Sequence, residues 1–197
     1  IIDRREASNQ PFIDSATGDV MVFNGEIYNY RELRPQLSGE YAFQTDSDTE
    51  VALAAMQVWG RAALPEFNGM FSFAYWNQAR RELTLVRDRM GIKPLYYAHI
   101  DNMVLFSSEV RSLLASDWLE RKHDPAGLAD YLRYQTVHSP RTILAGVSML
   151  PAGHWMRLEG EETEIGRWWD PAAAAKPQNR SREDELKRIR EVLSRSV

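Results

Sequence analysis

The sequence has 197 residues, 44% hydrophobic and 26% charged, with a formal net charge of −4, which suits a globular chain with a buried core and argues against a nucleic-acid module. It has no cysteine, which excludes a disulfide scaffold, cysteine-ligated zinc and a cysteine nucleophile within these residues, and which fits a reducing, cytoplasmic setting. No apolar run approaches the roughly 20 residues needed to cross a bilayer, so neither a membrane nor nucleic acid is expected as a partner.

Ile1-Ile2-Asp3 has neither an initiator methionine nor the layout of a signal peptide. It reads as the end of a buried strand, so the chain is expected to be a fragment. Asn9-Gln10-Pro11 reads as a turn, Phe12 and Ile13 as a strand edge, Ser15 to Asp19 as a polar turn, and Val20 to Phe23 as a strand that ends at Asn24-Gly25. Asn29 stands where it can cap a helix bearing Tyr30, Leu33 and Leu37, closed by Ser38-Gly39.

Tyr41 to Gln44 is expected to be a short strand, followed by an alanine-rich helix to Trp59 in which Ser47 and Glu50 have capping-box spacing. Phe71 to Trp76 alternates by twos, turns at Asn77 to Arg81, and pairs with Glu82 to Arg87. Leu95 to Ala98 and Met103 to Ser107 read as two more strands around His99 to Asn102, with a helical turn over Glu109 to Leu114. Asp124-Pro125 starts a helix whose inner face is expected to carry Leu128, Tyr131 and Leu132. Pro140 to Leu158 suggests strands and tight turns.

The domain reading follows composition: a first unit over residues 1–170, a linker over 171–180, and at 181–197 the first helix of a second domain. Ser181 and Asp184 have capping-box spacing, and Leu186, Ile189 and Val192 recur every third residue. An antiparallel meander flanked by helices implies layered α+β structure rather than βαβ winding.

Two places could do chemistry. Asn24-Gly25 followed by Glu26 is either a type I′ hairpin turn or an anion-stabilising corner with a carboxylate beside it. The helix that follows, in place of a return strand, weakens the turn reading. Asp48 is either a helix-start carboxylate favoured by the dipole or part of a site. Asp46, Asp48 and Glu50 alternate like a calcium loop, but Val51 stands where that loop needs glycine. His99, His123, His138 and His154 have no metal-ligand spacing, and no metal site is expected. No phosphate loop, dinucleotide fingerprint or Gly-x-Ser-x-Gly elbow occurs.

Phe23-Asn24-Gly25-Glu26-Ile27-Tyr28-Asn29, Ser47-Asp48-Thr49-Glu50, Phe67-Asn68-Gly69-Met70-Phe71 and Asp88-Arg89-Met90-Gly91-Ile92-Lys93-Pro94-Leu95-Tyr96-Tyr97 together resemble the glutaminase domain of glutamine-hydrolysing asparagine synthetases. The resemblance runs from Ile1 to about Trp169. It implies the four-layer αββα sandwich of N-terminal-nucleophile hydrolases, without its first strands. It also implies a nucleophile, an amino-terminal cysteine, that these residues lack.

By that resemblance Asn24 and Gly25 form the oxyanion hole, Glu26 and Asp48 hold the α-ammonium of L-glutamine, and the backbone at Ile1 and Ile2 forms part of the substrate wall. The family's arginine for the α-carboxylate would precede Ile1. The implied partners are L-glutamine, the chain's own C-terminal synthetase domain and a second copy in a homodimer. ATP and Mg²⁺ belong to the synthetase domain, and no cofactor is expected in these residues. Amidotransferases acting on another carboxylate, or a non-catalytic glutamine-binding domain, stand as alternatives.

Overall fold

Strand-forming runs with period-two alternation build two antiparallel sheets, and the apolar helix stripes pack on their outer faces. The computed structural model describes Arg5, residues 8–174 and residues 181–195; Ile1 and Ile2 lie outside them. In chain order the strands are β1 (Phe12–Ile13), β2 (Val20–Ile27), β3 (Gly69–Asn77), β4 (Glu82–Arg87), β5 (Tyr96–Ile100), β6 (Met103–Ser107), β7 (Ser148–Met149), β8 (His154–Glu159) and β9 (Glu162–Arg167). The helices are α1 (Tyr30–Leu37), α2 (Asp48–Trp59), α3 (Val110–Leu114), α4 (Pro125–Tyr134), α5 (Pro171–Ala174) and α6 (Arg182–Arg195). One sheet has the order β1-β2-β3-β4-β8-β9, the other β6-β5-β7.

Three buried clusters define the layers. Phe23, Phe71, Phe73 and Tyr75 on one face of the larger sheet meet Leu33 and Leu37 of α1 and the Val51–Met56 stretch of α2. Phe71, Phe73 and Tyr75 thus share one face, as their spacing requires. From the opposite face, Ala74, Leu85 and Met156 meet Leu95, Tyr97 and Leu150, with Val104 and Phe106 packed against them. The outer face of the smaller sheet joins Ala98 and Val147 to Leu113 of α3. The succession is helix, sheet, sheet, helix.

Several expectations change. The strand does not end at Asn24-Gly25, and these residues form no turn. β2 runs on to Ile27 and pairs throughout with β3, more than forty positions downstream, a partner that local spacing cannot reveal. Asn29 sits at the α1 N-cap without a side-chain cap bond. Its carboxamide instead bridges Glu66 O (3.0 Å) and Asn68 N (2.9 Å), locking the β2–α1 corner to the start of β3.

Tyr41 to Gln44 forms no strand. Its neighbouring amides are taken by the fully buried Glu50 carboxylate, which accepts from Gln44 N (2.7 Å), Thr45 N (2.7 Å) and Thr45 Oγ1 (2.6 Å). Ser47 Oγ caps α2 by accepting from Thr49 N at 3.1 Å, so the expected reciprocal box is half formed, because Glu50 serves the incoming loop.

Leu128, Tyr131 and Leu132 do not face inward; Leu132 is 75% exposed. α4 docks through Gly127, where an added Cβ would lie 2.3 Å from Thr142 O, so backbone contact replaces an apolar seam. At α6, Ser181 Oγ accepts from Asp184 N (3.1 Å), as its spacing requires, and Leu186 and Ile189 stay about half exposed.

Candidate active site

β2 carries the site. Successive N–H groups of a strand point to alternate edges. Tyr28 N donates toward the β3 side, to Asn68 O at 2.8 Å, so the amides of Phe23, Gly25 and Ile27 face the outer edge. β1 covers that edge only at Val20 and Met21. Beyond it, Phe23 N donates to Gln10 Oε1 (2.7 Å) and Ile27 N to Asp48 Oδ2 (3.0 Å). The Gly25 amide lies between these two with no acceptor among the described residues.

Glycine is required at this point for a backbone reason. Gly25 has φ +149°, and an added Cβ would lie 2.1 Å from Met70 O and 2.6 Å from Phe71 Cα. Gly69 mirrors it across the ladder, with an added Cβ 2.2 Å from Glu26 O. The two Asn-Gly pairs thus let β2 and β3 close on each other.

Alternation turns Val22 and Asn24 away from the Phe23–Ile27 core and into the space between the sheets. They line a cavity of about 370 Å³ there, with Ser72, Leu95, Phe106 and Ser108. Asn24 Nδ2 donates to Ser108 Oγ at 3.0 Å.

Asp48 is the first residue of α2 and is 5% exposed. Glu50 fixes the incoming loop, Thr45 Oγ1 accepts from Ser47 N (3.2 Å), and Ser47 caps the helix. That sequence of bonds sets Asp48 against the end of β2. Burial pushes its carboxyl above the ordinary value of 3.8; amide donors at Ile27, Thr49 and its own backbone oppose this, and the nearby Glu26 charge adds to the rise. A cation placed between the exposed Glu26 and the buried Asp48 would favour the ionised form of Asp48 and offset this rise.

Gly25 and Ile27 are separated by two strand rises, roughly 7 Å. The arrangement suits one small ligand that develops negative charge at one end and carries an ammonium at the other. Behind Phe71, the residue paired with Gly25, stands Asp88. Its buried carboxylate accepts from Phe71 N (3.1 Å), Met90 N (3.0 Å), Ile92 N (2.9 Å) and Lys93 N (2.9 Å). Arg87 donates to the carbonyls of Lys93, Leu150 and Gly91, and burial lowers its guanidinium from the ordinary value.

The structure therefore brings Asn24, Gly25, Glu26 and Asp48 to one end of β2, while Ile1 and Ile2 lie outside the described residues. Sequence reasoning did not single out Ser108, whose partner is 84 positions away, or the loop-holding parts of Glu50 and Asp88. The run from Asp88 to Pro94, with its glycine and proline, was the available signal for Asp88. Among the described residues no group of three or more His, Cys, Asp or Glu could hold a metal ion, and no helix is long and apolar enough to cross a membrane.

The sequence profile of the glutamine amidotransferase domain matches residues 1–169. Asparagine synthetase [glutamine-hydrolyzing] 1 of Bacillus subtilis (strain 168) is 37% identical over 180 residues, 90% of this chain and 28% of its own length. Amidase chry2 of Gibberella zeae is 33% identical over 202 residues, 100% of this chain and 29% of its own. The chain thus spans less than a third of the length of these curated relatives. In fold it is similar to the glutamine phosphoribosylpyrophosphate amidotransferase from B. subtilis, with a TM-score of 0.56 at 17% identity over 83% of this chain and 32% of that one. The chain belongs to the glutamine amidotransferase domain family, and its curated relatives include glutamine-hydrolysing asparagine synthetases.

Proposed function

We propose that this chain supplies the glutamine-hydrolysing site of an ATP-dependent amidotransferase, asparagine-forming in the leading reading. Glutamine lies along the outer edge of β2 with its α-ammonium between Glu26 and Asp48. Attack on its side-chain amide by the nucleophile that the family resemblance implies, an amino-terminal cysteine thiolate, builds a tetrahedral oxyanion, stabilised by Asn24 Nδ2 and the Gly25 amide. Preorganised donors of this kind stabilise the transition state more than the ground state. Collapse of the oxyanion breaks the C–N bond to release ammonia and leaves an acyl group that water hydrolyses to glutamate. Ammonia then passes to an acceptor activated in a synthetase domain beyond these residues, where ATP and Mg²⁺ belong.

The observation that carries this reading is the order of amides on β2. Phe23 and Ile27 are occupied, and Gly25 between them is free among the described residues, with Asn24 beside it and two carboxylates at the far end. The domain assignment is 1–170 glutaminase, 171–180 linker and 181–197 the opening helix of the synthetase domain. The half-exposed Leu186 and Ile189 of α6 are consistent with a helix that packs against a further domain.

A sibling amidotransferase with another carboxylate acceptor is the second reading, favoured by the match of Amidase chry2 to the whole chain. With no cysteine among the 197 residues, the chain alone is expected to release no ammonia from glutamine. In the full-length protein, Asn24→Ala should lower kcat for glutamine hydrolysis by about 10²–10³-fold, with KM little changed. A kcat within threefold of wild type would remove Asn24 from the oxyanion hole.

A further inference from the structure

We propose that Ser108 is a positioning residue for the Asn24 carboxamide, and so sets the oxyanion donor from the opposite sheet. The inference rests on the oxyanion reading of Asn24 given above. Asn24 lies inside β2 of the larger sheet, whereas Ser108 directly follows β6 of the smaller one. Their 3.0 Å bond, from Asn24 Nδ2 to Ser108 Oγ, crosses the inter-sheet cavity that both side chains line.

The terminal torsion of asparagine is broad and roughly two-fold, so an untethered carboxamide samples many planes. Some of them aim its carbonyl oxygen, rather than its NH₂, at the reacting atom. An NH₂ group has two N–H donors. Ser108 takes one, which fixes the plane, and the second remains for the oxyanion. Ser72, Ser107 and Ser112 also line the cavity, but none has a side-chain hydrogen bond to Asn24 among the described residues, and Ser72 Oγ donates to Pro94 O at 3.1 Å. Ser107 Oγ accepts from Glu109 N at 3.1 Å, so Ser108 stands alone in tethering Asn24 among the described residues.

Because β2 and β6 belong to different sheets, the donor's aim depends on the spacing between the layers. A shift of the smaller sheet would therefore reach the reaction centre through this one bond.

The test is a mutant cycle in the full-length protein with glutamine as substrate. Ser108→Ala should lower kcat about tenfold with KM within twofold, the scale of one lost hydrogen bond expressed in the transition state. Ser108→Thr, which keeps the hydroxyl, should restore most of kcat, whereas Ser108→Val, of nearly the same shape, should not. In an Asn24→Ala background Ser108→Ala should have no further effect.

Wild-type kcat in Ser108→Ala, equal rates in the Thr and Val variants, or an undiminished loss in the Asn24→Ala background would each overturn the assignment to Ser108. If Ser108→Ala fails to fold, the Thr and Val pair decides. Wild-type kcat in Asn24→Ala alone would instead refute the oxyanion reading itself, and with it this inference.

Discussion

Replacing Gly25 by alanine tests the link between the β2–β3 pairing and the site. The added Cβ would meet Met70 O at 2.1 Å and Phe71 Cα at 2.6 Å, both backbone atoms that no side-chain rotation can clear. Holding a non-glycine residue near the observed φ of +149° adds backbone strain of about 1–3 kcal/mol. Overpacking against a rigid neighbour adds a similar ~1–3 kcal/mol. A central value of about 4 kcal/mol corresponds to a drop in Tm of roughly 8–16 °C for a chain of this size.

Differential scanning calorimetry should show Gly69→Ala losing stability too, but less than Gly25→Ala, because both glycines face the same close backbone approach and only Gly25 also has a positive φ. Gly39→Ala is the control: an added Cβ there has nothing within 4 Å, and stability should stay within about 0.5 kcal/mol. A Gly25→Ala protein melting within about 2 °C of wild type would refute the argument that backbone proximity, rather than chemistry alone, demands glycine at this point.

Losses in kcat for Asn24→Ala and for Ser108→Ala follow from the two proposals above, each read in glutamine hydrolysis by the full-length protein. Asp48→Asn should raise KM for glutamine roughly 10- to 150-fold, the scale of one charge-assisted hydrogen bond of about 1.5–3 kcal/mol. The same variant should be no less stable at neutral pH. The folded Asp48 binds its proton more tightly than the unfolded chain does, so its ionised form costs native stability above the ordinary value of 3.8, and asparagine removes that cost while its oxygen still accepts from Ile27 N. For the same reason glutamine binding should weaken as pH falls through the raised pKa of Asp48 and its charge is lost. A flat pH profile of KM between pH 4 and 7 would contradict the placement of the ammonium.

Much of the architecture was legible because it is local. The alternation in Phe71 to Trp76, the Ser47 and Asp124 caps and the Ser181 cap each depend on residues within a few positions of one another. What failed was non-local. Asn24-Gly25 carries the composition of a turn, yet β3 arrives from across the chain and extends β2 through it. Tyr41 to Gln44 has strand composition, yet Tyr41 N donates back to Leu37 O and Gln44 N donates to a carboxylate from the next helix. The apolar residues of α4 suggested a buried face, whereas the residue the helix buries is Gly127. At the site, Asn24, Gly25, Glu26 and Asp48 could be named from motif resemblance. The geometry that relates them, above all a Gly25 amide with no acceptor among the described residues and the Asn24–Ser108 hydrogen bond, depends on pairings that no short window contains.

The most direct measurement is a structure of the full-length protein trapped with a glutamine-derived electrophile. The account expects the adduct's oxygen within about 2.7–3.1 Å of both Asn24 Nδ2 and the Gly25 amide, with the ammonium between Glu26 and Asp48. An adduct whose oxygen points to other donors, leaving the Gly25 amide facing solvent, would contradict it.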